Sequence, residues 1–151
     1  MTTTETRPGP GDERATMEAV TRRLYSEVWN EGRYEVAAEL MHPDFTYAAR
    51  PDLRGPAAKL AAIRMHRATF PDVRFTVEEL IVAPDRVAMR TAVTGTDTGG
   101  LAGRSPSGRV GTTWSVEFLG FRDGLIVSDW VGVDWVGVLV QTGAVADPWT
   151  R

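Results

Sequence analysis

Apolar positions in the N-terminal part of the chain recur every three or four residues, which is the spacing of an amphipathic helix. This pattern predicts a first helix over residues 13–29, where Tyr25 and Trp29 widen the apolar stripe. It also predicts a short second helix over residues 34–41 and a third helix over residues 56–70. Prolines just after the second helix and in the first turn of the third are typical of helix boundaries.

From residue 73 onwards the apolar period changes to two, which is typical of β-strands. Val73, Phe75 and Val77 alternate with polar or charged residues. The other segments predicted to be extended are residues 44–49, 86–96, 109–121 and 125–135. A glycine-rich loop covers residues 97–108, and a last helical turn is predicted over residues 136–144. Three helices followed by antiparallel strands predict an α+β fold, with the helices packed on one face of the sheet.

The chain of 151 residues is long enough for one domain with a single core. We predict a disordered N-terminal tail over residues 1–12, the folded domain over residues 13–144 and a C-terminal tail over residues 145–151. The net charge of −3 gives no electrostatic reason to expect nucleic acid or a membrane as a partner.

The residue types that are rare or missing exclude several kinds of site. The chain has no cysteine, which excludes disulfides and thiolate chemistry and is consistent with a reducing cytoplasm. His42 and His66 lie far apart in the sequence, so a histidine-rich metal site is not expected, and His66 is interpreted as a surface or packing residue. No long apolar run and no signal-peptide pattern is visible, so a cytoplasmic location is predicted.

The hairpin around residues 122–124 carries two carboxylates whose relative position depends on the turn. A two-residue turn at residues 123–124 would place Glu117 opposite Trp130, whereas a three-residue loop would place it opposite Asp129. The glycine that ends the loop favours the second arrangement. Two carboxylates on one face repel each other, so one pKa should rise and provide an acid or base near neutral pH.

Other side chains of the predicted sheet could complete this site. Arg90 lies among small apolar residues of the preceding strand and could pair with the two carboxylates or with a substrate oxyanion. The candidate catalytic residues are therefore Glu117, Asp129 and Arg90. The candidate substrate-binding residues are Ser115, Val131, Thr94, Tyr25 and Trp29. The alternative is that these charged strand residues are simply solvated.

One face of the last hairpin is unusually rich in aromatic residues. The residues assigned to this face are Trp114, Val116, Phe118, Ile126 and Trp130. Three short helices can cover only one face of a sheet, so this second face predicts a symmetric homodimer or a higher homo-oligomer.

Several segments, taken in order, resemble the SnoaL-like polyketide cyclases of the NTF2-like superfamily. The matching segments are MHPDF (41–45), ATFPDVRFTVEELIV (68–82), DRVAMRTAVTGTDTG (85–99), SPSGRV (105–110) and the ending at 134–143. The resemblance covers about residues 14–144. It implies a cone-shaped α+β barrel, in which a curved antiparallel sheet and three N-terminal helices enclose an apolar pocket. It also implies oligomers and no metal or organic cofactor.

The resemblance also implies positions for the catalytic groups, and this chain departs from them. In the ring-closing cyclases an aspartate base on the last strand and a histidine on the strand before it would fall on Val131 and Glu117. In related epoxide hydrolases an Arg-x-Asp pair would fall on Arg90 and Ala92. The usual base is therefore absent, and only the arginine of the second pair is present.

The resemblance implies a cofactor-independent tailoring enzyme that acts on an aromatic polyketide-like small molecule. It would be either a divergent cyclase, which removes a proton α to a carbonyl, or a hydroxylase, in which a deprotonated ring reacts with dioxygen. The alternatives are a non-catalytic small-molecule-binding protein, an epoxide-hydrolase-like enzyme and a structural dimerisation module. A pocket smaller than about 300 Å³ would argue against catalysis and against ligand binding.

Overall fold

The computed structural model describes residues 9–150. The first helix, α1 (Pro10–Arg23), begins with a proline and has acidic residues in its first turn and basic residues in its last. This arrangement complements the helix dipole. The helix begins earlier than predicted, so residues 10–12 are not part of a tail; residues 1–8 of the predicted tail lie outside the described residues.

Helix α1 runs directly into a π-helical segment, Leu24–Asn30. The segment buries Leu24, Tyr25, Val28 and Trp29, the apolar stripe that the sequence pattern predicts. A π-helical turn is rare and is frequently found at functional sites. In this segment the Tyr25 and Trp29 rings pack against Phe75 of the sheet.

The remaining helices are short or amphipathic. A 3-10 turn, Tyr34–Val36, leads into α2 (Ala37–Leu40), and α3 spans Pro56–Thr69. The last helix, α4 (Trp135–Gln141), starts inside the segment predicted to be strand. It starts there because the Asp134 carboxylate accepts a hydrogen bond from the Gly137 backbone N–H and caps the helix. No helix among residues 9–150 is long and apolar enough to cross a bilayer.

Five strands form one curved sheet. They are β1 (Met41–Tyr47), β2 (Arg74–Val82), β3 (Arg86–Thr96), β4 (Val110–Arg122) and β5 (Leu125–Val133). Their spatial order is β1-β5-β4-β3-β2; β1 runs parallel to β5 and the other pairs are antiparallel. The antiparallel pairing predicted for the last four strands is thus confirmed, and the earlier extended segment, β1, lies beside β5 at the edge of the sheet. This strand begins at Met41, within the residues predicted to close the second helix.

The helices cover one face of the sheet, which we call the inner face. The core between them contains Val28 from the π-helical segment, Ile63 from α3, and Phe45 and Leu119 from the strands, all without solvent exposure. The α+β class and the placement of the helices on one face of the sheet are as predicted.

The turn between β4 and β5 has two residues rather than three. Asp123 and Gly124 both have positive φ, at 53° and 76°, and Arg122 pairs directly with Leu125. This is the preferred connection of a two-residue hairpin, because its twist matches that of the strands. The predicted three-residue loop is therefore wrong.

A β-bulge next to this turn changes the register again. Phe121 pairs with Ile126, whereas its neighbour Gly120 pairs with Ser128, so Val127 has no partner of its own. The extra residue shifts the remaining pairs, and Glu117 lies opposite Val131 instead of Trp130 or Asp129.

The bulge also decides which side chains of β5 face inwards. Ile126 and Asp129 both point to the inner face and are buried, although three positions separate them. The assignment of Ile126 to the exposed aromatic face is therefore wrong. Trp130 remains on the outer face with Trp114 and Phe118, and each of these three side chains is exposed.

Candidate active site

A cavity of about 530 Å³ lies between the helices and the inner face of the sheet. Its volume is within the range of small-molecule sites, and it exceeds the limit of about 300 Å³ below which catalysis and ligand binding were not expected. Its apolar and aromatic wall includes Trp29, Tyr47, Phe70, Phe75, Val93, Val131 and Trp135. Its polar side chains include Lys59, His66, Thr113, Ser115 and Glu117. An apolar chamber with a few grouped polar residues is the expected form of a site for a largely apolar ligand.

The charged group at this site is a buried cluster of one lysine and two carboxylates. Lys59 Nζ lies 2.5 Å from Asp129 Oδ2 and 3.3 Å from Glu117 Oε2. The three side chains retain at most 2% of their solvent exposure. Lys59 lies on α3, Glu117 on β4 and Asp129 on β5, so the cluster connects the helical layer to the sheet. Charges are rarely buried to this extent unless they are paired.

Strand alternation supplies a chain of hydrogen bonds that ends on Glu117. Thr91, Ser115 and Glu117 all face inwards and are buried. The Ser115 hydroxyl donates to Glu117 Oε1 at 3.1 Å, and the Thr91 hydroxyl lies 2.6 Å from that of Ser115. Because Ser115 uses its single proton on the carboxylate, Thr91 donates to Ser115. One oxygen of Glu117 is thus held by Ser115 and the other by Lys59.

Two aromatic rings pack around the Lys59 ammonium group. Its nitrogen lies 4.8 Å from the centre of the Tyr47 ring and 5.4 Å from that of Trp29. These distances are typical of cation–π contacts, which stabilise a cation that has lost its water. The lysine is therefore held in its charged form by two carboxylates and two aromatic faces.

Burial and neighbouring charges change the pKa values of Asp129, Lys59 and Tyr25. Burial, opposed by the Lys59 ammonium and reinforced by the negative charge of Glu117, raises the pKa of Asp129 to about 6. Burial alone would lower the pKa of Lys59, but attraction by Asp129 and then Glu117 raises it above its usual value. Burial raises the pKa of Tyr25 well above its usual value, and the two carboxylates add to the effect. The cluster can therefore exchange a proton at near-neutral pH while Lys59 stays cationic.

Three buried polar atoms around the cluster make no hydrogen bond within residues 9–150. They are Tyr25 Oη, Trp29 Nε1 and Asp129 Oδ1. Buried polar groups are nearly always paired, so such a concentration is typical of functional sites and not of a purely structural core.

A protein-family model, that of the SnoaL-like polyketide cyclases, matches residues 19–142. The match covers most of the chain. This protein belongs to the SnoaL-like family. The family that the sequence segments resemble is thus confirmed. A search of curated protein sequences finds no match.

Solved structures of other SnoaL-like proteins have the same fold. TsrD from Streptomyces laurentii is 26% identical, with a TM-score of 0.80 over 87% of this chain and 98% of its own. IdmH from Streptomyces antibioticus, a proposed polyketide cyclase, is 29% identical, with a TM-score of 0.75 over 84% and 98%. AclR from Streptomyces galilaeus, a proposed hydroxylase, is 26% identical, with a TM-score of 0.76 over 87% and 98%. These neighbours support a tailoring-type role for this SnoaL-like protein.

The structure brings most of the predicted site residues of this SnoaL-like chain together. Those that line the cavity are Glu117, Ser115, Val131 and Trp29. Thr94 also borders the cavity, but it is exposed and alternates with the inward-facing residues of β3, so its predicted inward position is wrong. Asp129 and Tyr25 are buried next to them but are not part of the cavity wall. Glu117 and Asp129 share the inner face as predicted, although as diagonal neighbours and not as a direct pair.

The predicted position of Arg90 is wrong. Its side chain lies on the outer face, about half exposed, and forms ion pairs with Glu78 and Glu79. The sequence pattern assigned the wrong face of β3, because the residue that points inwards is the polar Thr91. Its hydroxyl is satisfied by Ser115, which explains why a polar side chain can be buried there.

Sequence reasoning missed Lys59, the centre of the site. It lies on the inner side of α3 and is 1% exposed. One signal could have revealed it: the chain contains 17 lysines and arginines, and Lys59 is the only lysine among them. Because all the other members of this group are arginines, the single lysine indicates a position with a special environment.

Proposed function

We propose that this protein is a cofactor-independent tailoring enzyme that removes a proton from an aromatic, polyketide-type substrate held in the cavity. Glu117 is the base. The observation that carries the proposal is that Glu117 is the carboxylate of the cluster that lines the cavity, while Asp129 lies behind it. A base must approach its proton within hydrogen-bond reach, and among the two carboxylates Glu117 meets this requirement.

Lys59 provides the positive charge that this reaction needs. When Glu117 takes a proton from a carbon next to a carbonyl, the electron pair of the broken C–H bond forms a C=C bond. The π pair of the C=O bond moves onto the oxygen, and an enolate results. The Lys59 ammonium lines the cavity beside Glu117 and can stabilise the new negative charge. A preorganised cation in a site shielded from water is an effective means of lowering such a barrier.

Asp129 has a positioning role in this scheme. It holds Lys59 at 2.5 Å and keeps it charged while the negative charge moves from Glu117 to the substrate. Ser115 keeps the Glu117 carboxylate turned towards the cavity by donating to its other oxygen. In a cyclase, the enolate carbon then attacks a second carbonyl of the same molecule, and Glu117 returns its proton to the new alkoxide.

A second candidate function is ring hydroxylation, which the likeness to the proposed hydroxylase AclR favours. The first step is the same: Glu117 deprotonates an electron-rich ring. Dioxygen adds to the resulting carbanion and forms a peroxide anion, which the protonated Glu117 converts to a hydroperoxide. Loss of water from the hydroperoxide breaks its O–O bond and leaves a ring carbonyl, so that no external reductant is needed. The two candidates therefore share their base. They differ in the group that reacts with the carbanion, which is a second carbonyl in the cyclase and dioxygen in the hydroxylase.

Anthrone is a suitable probe for both candidates, because it has three fused rings and an acidic CH₂ group. Deuterium exchange at this CH₂ group, followed by NMR under argon, measures proton removal; oxygen uptake in air measures the hydroxylase step. We expect the protein to accelerate exchange, and we expect Glu117→Gln to lower the protein-dependent rate by about 10²- to 10⁴-fold. Glu78→Gln, which changes a carboxylate on the outer face, is the matched control and should leave the rate unchanged.

The result of this experiment separates catalysis from binding. Binding of anthrone without accelerated exchange would contradict the proposed enzyme and favour a ligand-binding protein. Accelerated exchange that survives in Glu117→Gln would show that another group is the base.

A further inference from the structure

His66 contributes a second polar feature to the cavity, separate from the charged cluster. It lies on α3 seven residues after Lys59, so two helical turns place both side chains on the same side of the helix. Both line the same cavity. His66, which the sequence pattern interprets as a surface or packing residue, thus also borders the cavity.

A backbone contact decides which ring nitrogen of His66 carries the proton. His66 Nδ1 lies 2.7 Å from the carbonyl oxygen of Ala62. A carbonyl can only accept, so Nδ1 must donate, and in the neutral ring Nε2 is left with a free lone pair. Burial lowers the pKa of His66, which keeps the ring neutral near pH 7. Among the hydrogen bonds of residues 9–150, the His66 ring takes part in the one at Nδ1 and in none at Nε2.

Two tryptophans hold the imidazole ring in place. The Trp29 ring meets it edge-on at 5.5 Å and an angle of 82°, and the Trp135 ring lies 5.3 Å away at 35°. Both tryptophans also line the cavity. A ring packed in this way and anchored at Nδ1 presents Nε2 in a defined direction, which is the requirement for selective recognition.

We propose that His66 is a specificity-determining residue that accepts a hydrogen bond from a hydroxyl group on the aromatic part of the substrate. The proposal rests on the proposed function and adds the chemical class of its substrate, a hydroxylated aromatic molecule. A phenolic hydroxyl can donate to Nε2, whereas a ketone or an ether at the same place cannot. The substrate would thus be held at one end by His66 and would meet Glu117 and Lys59 at the other.

Binding of 2-naphthol and 2-methoxynaphthalene, measured by calorimetry at pH 7, tests this proposal. The two probes have the same rings, but only 2-naphthol can donate a hydrogen bond. We expect the unmodified protein to prefer 2-naphthol by about fivefold to tenfold, the effect of one good hydrogen bond. His66→Phe keeps an aromatic ring between the tryptophans and should abolish the preference. His66→Gln keeps an acceptor and should retain part of it.

Every other outcome overturns the proposal. An unchanged preference in His66→Phe would show that the hydroxyl binds elsewhere. An equal loss of affinity for both probes would show that His66 only packs, and failure of 2-naphthol to bind the unmodified protein would exclude this ligand class. The ring nitrogens of His66 give a direct check by ¹⁵N NMR, because the Nε2 signal should shift with 2-naphthol and not with the ether.

This test is independent of the test for catalysis. If anthrone exchange is not accelerated but the 2-naphthol preference depends on His66, the proposed enzyme is wrong and the recognition is right. If exchange depends on Glu117 but the preference does not depend on His66, the proposed enzyme is right and the proposed role of His66 is wrong.

Discussion

Lys59 Nζ lies 2.5 Å from Asp129 Oδ2, and the solvent-exposed fraction of each side chain is at most 1%. An ion pair of this kind connects α3 to β5 across the core. Because the ions have left water, each depends on the other, and removal of one leaves an uncompensated charge in the interior.

We therefore predict that Lys59→Met destabilises the protein by about 3–5 kcal/mol, the usual effect of breaking a buried ion pair. Urea denaturation at pH 7 measures the change in the free energy of unfolding. The charge-balanced control is Lys59→Met combined with Asp129→Asn and Glu117→Gln, which leaves no buried charge and should recover much of the loss. A single variant as stable as the unmodified protein would contradict the buried cluster.

The pH dependence of stability provides a second prediction. The pKa of Asp129 is about 6 in the folded protein, above its ordinary value of 3.8, so the folded state keeps this proton when the unfolded chain has lost it. The contribution of Asp129 is complete below pH 3.8 and is lost as pH rises through about 6. Relative to Asp129→Asn, the free energy of unfolding should fall by up to about 3 kcal/mol across this interval.

Denaturation series from pH 4 to pH 7 on both proteins test this slope. Asp123→Asn, which makes the same replacement in the exposed turn between β4 and β5, is the matched control variant. A constant difference for Asp129→Asn would show that its carboxyl group is not held protonated by the fold.

The outer face of the sheet leads to a prediction about assembly. Trp114, Phe118 and Trp130 are 49%, 43% and 55% exposed, and the rings of the last two lie 5.8 Å apart. Grouped aromatic side chains of this size are seldom left in contact with water. We expect a homodimer through this face, with a mass twice that of the chain by light scattering at micromolar concentration.

Phe118→Glu should convert the dimer to a monomer, because it places a charge within the aromatic group. Thr112→Glu, on the same strand and also facing outwards, is the matched control and should remain dimeric. A monomeric unmodified protein would refute the prediction.

Much of the fold could be predicted from apolar periodicity alone. The bounds of β3 are those predicted, because a Pro-Asp turn and a glycine-rich loop mark both of its ends. The hairpin register could not be predicted in the same way. The bulge at Val127 adds one residue to an otherwise regular strand, and no residue type in that segment marks it.

The site was predicted in part for a related reason. Glu117 and Asp129 were found because carboxylates stand out in an apolar strand, whereas Lys59 looks like one more polar residue in an amphipathic helix. Its burial depends on the ion pairs with Glu117 and Asp129, which are 58 and 70 residues away in the sequence. Local patterns contain no information on such distant partners.

The last prediction concerns Val131, where the family resemblance implies an aspartate base. Val131 lines the cavity directly opposite Glu117, so their Cβ atoms are about 5 Å apart. A base on β4 approaches the substrate from a different side than a base on β5, and a base acts only within hydrogen-bond reach of its proton. The unmodified protein should therefore close rings slowly on precursors that the ring-closing cyclases use.

Val131→Asp combined with Glu117→His would restore the arrangement that the resemblance implies, and it avoids a third carboxylate beside Lys59. We expect this double variant to gain ring-closing activity on an anthracycline-type precursor by about 10²-fold or more, the lower end of general-base catalysis. Product formation followed by chromatography measures the gain, and Val131→Asn with Glu117→His is the control, because it has the same shape but no carboxylate at position 131. Efficient ring closure by the unmodified protein that is insensitive to Glu117→Gln would show that the base lies elsewhere in the cavity.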